Sequence, residues 1–284
     1  MLFLILSIIC SVTVGVIFKV SRKYNVNNSQ IVTANYLFAL ILCYFFFSPD
    51  LTVVEKESPW ILYAVIGLLL PSVFLFLAAS IKHMGIVKTD AAQRLSLFIP
   101  ILAALFIFKE DFNTLKISAF LIGLPAILLI LAKPIENTKS KWIYPTVVLL
   151  GFGLIDILFK KIALFTTLPY ATSLFIVFSI SLLIMIAVVI YELIANRAHL
   201  QIKNIAFGGL VGVFNFGNIL FYLKAHQAFA ENPSTVFAGM NMGVIIIGSL
   251  IGVLVFKEKL TKMNYAGLGL ALVAIILIVL SQTK

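Results

Sequence analysis

Charge is scarce in this sequence. Only 11% of the 284 residues are charged and 62% are hydrophobic, whereas soluble domains carry about 25% charged residues. So few charges cannot cover a water-exposed surface, which excludes a soluble globular protein. Cysteine is nearly absent: Cys10 and Cys43 both lie inside apolar runs, which excludes a disulfide framework and leaves them as small hydrophobes. There is no GxxxxGK[ST] loop to cradle a nucleotide, and no HExxH, paired CxxC or GxSxG element. His83, His199 and His226 are scattered without metal-ligand spacing. No cofactor or metal is expected, and an enzyme has no motif to rest on. The formal charge of +10 forms no basic face, because lysines sit in short punctuations such as KPIENTKSK (133–141). Such punctuation suits loops at lipid headgroups, so nucleic acid is not an expected partner.

Long apolar runs fill the space the charges leave. They fall near 2–20, 30–48, 59–81, 86–108, 115–132, 142–162, 169–194, 204–229, 234–256 and 263–281. A hydrocarbon core about 30 Å thick needs about 20 apolar residues to cross as helix. Inside lipid the backbone must satisfy its own hydrogen bonds, so each run reads as a helix rather than an open strand. The first run lacks a positive charge before Lys19 and a small-residue cleavage pattern, so it reads as the first membrane helix. Trp60 and Trp142 open the third and sixth runs, at the level where amphipathic rings favour headgroups. The fold class is an all-α integral membrane protein with ten transmembrane helices.

Two of these runs stop on the same three residues. LFIFKED (105–111) and VLVFKEK (253–259) both end in Phe-Lys-Glu, 148 positions apart, and DFNTLKISAF (111–120) then aligns with KLTKMNYAGL (259–268). Near the front of each half, GVIFKV (15–20) resembles DILFKK (156–161). Two anchors in the same order indicate a duplication of five helices, over 1–132 and 142–284. Five is odd, so the second copy enters the membrane upside down, the inverted-repeat arrangement common in secondary transporters.

A helix ending in Phe-Lys-Glu, a short polar link and a Gly-rich closing helix resembles the EamA-type transporters of the drug/metabolite transporter superfamily. The residues that carry the resemblance are Phe108, Lys109, Glu110 and Gly123, then Phe256, Lys257, Glu258, Leu260, Thr261 and Gly267. The resemblance implies ten helices, a central cavity between the halves, fifth and tenth helices acting as scaffold, and Glu110 and Glu258 as the closing acids of the fourth and ninth helices. One departure is that Pro100 of the fourth helix aligns with Gly248 of the ninth.

Polar residues at membrane depth are expensive and mark cavities or partners. Arg94 lies about 14 residues, or roughly 20 Å, from the helix exit at Lys109. Asp90 precedes it by one helical turn, so the two form either a packing pair or a site for an anionic group. Asp156 and Lys160 are also four apart; Asp156 is a candidate site carboxylate or proton carrier, whereas Lys19 and Lys160 are placed to snorkel toward headgroups. Asn215, Asn218, Tyr222 and His226 make one stripe that either hydrogen-bonds a solute or joins helices. Asn241 aligns with Gln93 at the same 148 offset, near the expected pseudo-twofold axis. Gly208 and Gly212, like Gly239 and Gly243, suit close helix approach.

These features point to a secondary transporter exporting a small organic metabolite, amino-acid-like or otherwise carboxylate-bearing, by alternating access. The expected partners are that metabolite, the lipid bilayer and coupling protons or other ions. A lipid or lipid-precursor flippase is the alternative, and a passive channel is a weaker one. The expected location is a plasma (inner) membrane with both termini on one side. Lysine and arginine counting, thirteen on the odd links against seven, places the termini outside; the resemblance places them in the cytoplasm.

Overall fold

The computed structural model describes residues 1–131, 143–164, 169–195, 197, 199–257 and 261–281; within these, the side chains at 22, 78, 81–91, 94, 98, 130, 131 and 279 are not described. Among the described residues there is no strand, and ten α-helices are joined by short links: α1 (Leu2–Ser21), α2 (Asn28–Phe47), α3 (Trp60–Leu95), α4 (Phe98–Phe106), α5 (Thr114–Leu131), α6 (Ile143–Leu164), α7 (Tyr170–Ala195), α8 (Ile202–Ala228), α9 (Pro233–Leu254) and α10 (Lys262–Ser281). Among the described residues, six helical stretches are long and apolar enough to cross a membrane: α1, α2, Trp60–Leu77 of α3, α7, α8 and α9. The outer surface is apolar, with Ile61 83% and Leu254 76% exposed, as a lipid-facing surface requires.

The helix ends follow from local chemistry. Asn27 caps α2 through its side chain, which accepts from Gln30 N at 3.2 Å. Asn113 accepts from Lys116 N at 2.9 Å ahead of α5, and Thr261 accepts from Asn264 N at 3.2 Å ahead of α10. The two Phe-Lys-Glu sites also share a backbone. Ile107 N and Phe108 N both donate to Ala103 O, and Val255 N and Phe256 N both donate to Ile251 O. Lys109 (φ 51°) and Lys257 (φ 54°) then turn left-handed, which stops each helix in the way a C-terminal glycine normally does.

The expected third and fourth runs lie differently. Helix α3 continues over Trp60–Leu95, through the short link expected between them. A straight helix would put Leu70 and Gln93 roughly 34 Å apart, yet both line one cavity, so α3 is not straight between them. The chain then breaks at Ser96–Leu97, before α4. Pro100 has no N–H to give Ser96 O, so the ladder cannot continue there; Ile99 N turns back to Ser96 O at 3.0 Å instead. The aligned residue in α9 is Gly248, which keeps its N–H, and α9 is unbroken.

Cross-helix bonds fix the directions. Ser7 donates to Asn218 Oδ1 at 2.8 Å, and Lys203 Nζ donates to Tyr24 O at 2.6 Å, so α1 and α8 are antiparallel. Tyr222 bonds Asp156, and Lys160 bonds Ala230 O just past α8, so α6 and α8 are parallel. Helices α1 and α6 therefore run oppositely. So do α2 and α7 (Ser29 to Glu192 at one end, Cys43 to Ala171 O at the other) and α5 and α10 (Asn113 to Ser281 O, Asn264 to Leu129 O). The neighbours are α1 on α8 and α9, α6 on α3 and α4, α2 on α8, and α7 on α3, with α5 and α10 packed along each other. Gly208 and Gly212 let α8 approach α2: a Cβ on Gly212 would lie 2.8 Å from Asn35 O and 2.7 Å from Phe38 Cβ.

Candidate functional site: a polar cavity between the helices

A cavity of about 140 Å³ lies among α1, α3, α6, α8 and α9. Its polar lining is Ser11, Gln93, Ser96, Asp156, Asn215, Asn218, Tyr222 and Asn241, and its apolar lining includes Phe74, Phe152, Phe159 and Met240. Of the nine residues named as the Asp90–Arg94 pair, Asp156, the α8 stripe and the Gln93–Asn241 match, six meet around this one space and His226 lies buried outside its lining. The side chains of the other two, Asp90 and Arg94, lie outside the described residues, although the backbone of Arg94 follows directly on Gln93 in α3.

Each polar group is held by its helix and a neighbour. Tyr222 Oη donates to Asp156 Oδ1 at 2.8 Å, joining α8 to α6. Asn218 Oδ1 accepts from Ser7, and Asn215 Nδ2 donates to Asn35 Oδ1 at 3.0 Å, joining α8 to α1 and α2. Asn241 Nδ2 donates to Phe237 O, one turn back in its own helix, and Ser96 Oγ donates to Gln93 O across the break before α4. Asn215, Asn218 and Tyr222 of the α8 stripe therefore line the cavity and tie α8 to its neighbours. His226 completes the stripe below Tyr222. It is fully buried, set edge-on between the rings of Tyr222 (4.6 Å) and Phe237 (4.8 Å). Neither of its ring nitrogens has a hydrogen-bond partner among the described residues.

The two matched lysines part company. Lys19 is exposed, its ammonium 4.0 Å from the centre of the Phe256 ring. Lys160 does not snorkel to a headgroup. It is fully buried, donates to Ala230 O at 2.7 Å and lies 5.9 Å from the Phe108 ring. Carbonyls beyond the last turn of α8 lack helical partners and carry the negative end of its dipole, so they draw in a cation. Asp156 consequently bonds Tyr222 rather than Lys160. Serines 7, 11 and 96 were not distinguished by sequence reasoning, because isolated serines in apolar runs carry no pattern. Among the described residues, no three His, Cys, Asp or Glu side chains come together as a metal site.

Chemically, the described lining offers one carboxylate, four side-chain amides, a phenol and two hydroxyls within an aromatic wall. Such a set suits a small polar solute bearing hydrogen-bond donors, with the carboxylate and rings favouring an ammonium group.

A profile described as the EamA-like transporter family matches residues 1–132. An uncharacterized protein of Haemophilus influenzae is 41% identical, the alignment covering 96% of this chain and 95% of that one. A protein solved by crystallography shares the fold, with a TM-score of 0.70 at 12% identity over 99% of this chain and 96% of that one.

Proposed function

The chain belongs to the EamA-like transporter family, within the drug/metabolite transporter superfamily, and on that footing we propose that it exports a small amino-acid-like metabolite by alternating access. The family places it among multi-pass membrane transporters of small molecules. The observation that carries the finer reading is the convergence of polar side chains from α1, α3, α6, α8 and α9 on one cavity. Asp156 takes the substrate's ammonium group, the amides of Gln93, Asn215, Asn218 and Asn241 take its remaining polar atoms, and Arg94 is assigned to a carboxylate.

Residues 1–132 and 142–284 act as two inverted five-helix repeats. The reading is supported by the shared stop at Phe108 and Phe256, the shared caps at Asn113 and Thr261, and the exchanged packing in which α1 on α8 corresponds to α6 on α3. A plasma (inner) membrane with cytoplasmic termini, and coupling to protons or other ions, complete the proposal.

A thermal-shift screen of the purified protein tests it, because a ligand at 100 times its Kd stabilises the folded state by about 2.7 kcal/mol. Amino-acid-like compounds are expected to raise the melting temperature, and Asp156→Asn to remove the shift. A response confined to lipid precursors favours the flippase, and a response to anions lacking an amine, retained in Asp156→Asn, removes the ammonium assignment.

A further inference from the structure

Beside the cavity lies a second polar cluster that the substrate reading leaves unused. Glu110, just past α4, is 5% exposed, and Lys116 of α5 is 3% exposed. Glu110 Oε1 accepts from Lys116 Nζ at 2.8 Å and from Ser234 Oγ, and Oε2 accepts from Ser234 N at 2.8 Å. Lys116 Nζ also donates to Asn232 Oδ1. Residues of the first half thus grip the loop between α8 and α9 in the second half. Lys160 grips the same loop at Ala230 O. The cluster sits at the end of the molecule that holds both chain termini, since Phe3 stacks on Phe221 near the end of α8 and Asn113 bonds Ser281 O.

We propose that Glu110, held by Lys116 and Ser234, is the latch of a gate closed at this end, and that Lys19 and Phe256 mark the corresponding gate at the other end. The proposal rests on the alternating-access reading. Two observations separate a latch from a permanent tie. First, matched residues are in unequal states. Lys160 is sealed from solvent, whereas its counterpart Lys19 is exposed, although the rings beside them, Phe108 and Phe256, are both half-buried. Sequence-equivalent ends that differ in closure are what a two-state carrier presents in either of its states. Second, the seal is ionic. A buried ion pair contributes little net stability over an apolar contact of the same shape, but its groups recover hydration when they part, which leaves both the closed and the open arrangement accessible. Glu258, the counterpart of Glu110, lies outside the described residues.

The test uses the full chain with Cys10 and Cys43 replaced by alanine and a single reporter, Ser11→Cys, on the cavity wall. Sealed vesicles of both orientations, told apart by a tag at the chain's end, are treated with a membrane-impermeant methanethiosulfonate. Labelling of the parent is expected to be faster from the face opposite the termini. Glu110→Gln is expected to raise labelling from the termini face at least about tenfold, an equilibrium change of about 1.4 kcal/mol. Ser234→Ala, which removes one donor and no charge, shifts labelling the same way by less, and decides the matter alone if Glu110→Gln fails to fold. Faster labelling of the parent from the termini face, or unchanged sidedness in the variants, overturns the latch while leaving alternating access intact. A reporter that the reagent reaches from neither face in any variant overturns both.

Discussion

Asn218 serves two partners with one side chain, facing the cavity while accepting from Ser7. Replacing it with leucine strips the cavity of an amide, yet Ser7 keeps a second acceptor in Asn218 O at 3.1 Å. Asn218→Leu should therefore cost only about 0.6 kcal/mol, the usual worth of such a membrane hydrogen bond, while ligand-induced thermal shifts disappear. A large fall in melting temperature with the ligand shift intact would assign Asn218 to helix packing alone. Tyr222→Phe differs, because it removes the donor to the Asp156 carboxylate. A loss of about 1.5–3 kcal/mol is expected for a hydrogen bond to a charged group, read as a lower unfolding midpoint. At this scale the sequence was informative where a carboxylate interrupted an apolar run or where amides recurred at helical spacing or at the repeat offset, and it passed over lone serines. It was silent on Lys116, because its partners Glu110 and Asn232 are supplied by the fold. Lys160 misled for the same reason: the carbonyl that holds it comes 70 residues later.

Helices carry two contrasting glycines. A Cβ on Gly212 would strike the α2 backbone at Asn35 O, whereas a Cβ on Gly248 meets nothing within 4 Å. Gly212→Ala should thus destabilise by about 1–3 kcal/mol through overpacking. Gly248→Ala should be neutral or stabilising by up to about 1 kcal/mol through helix propensity. Thermal unfolding of the two variants in one detergent checks both signs. The runs themselves were legible because crossing lipid demands about 20 continuous apolar residues, a signal that few other constraints imitate. The break at Ser96–Leu97 was not legible: Pro100 stood out as a mismatch with Gly248, and only the path of the chain shows that a break falls on the cavity wall, with Ser96 and Gln93 beside it.

For the whole molecule, the helix directions put Leu2 and Ser281 at the same end. Tags at the two termini should accordingly be reached by antibody from the same face of sealed vesicles, and exposure on opposite faces would contradict those directions. Which face that is decides between lysine counting and family resemblance, whose expectations disagree.

The burial of Asp156 and Lys160 also bears on how the chain enters its membrane. Helix α6 is not among the six stretches apolar enough to cross alone, and a central Asp or Lys costs about 2.5–3.5 kcal/mol each on insertion scales. Its relief comes from Tyr222 and Ala230, which the ribosome has not yet made when α6 emerges. Stable insertion of α6 must then wait for α8, making the second half of the protein a cooperative unit of biogenesis. A chain truncated near residue 200 should leave α6 poorly inserted, with a glycosylation acceptor placed beside it modified on the wrong side, and extension through residue 232 should correct this.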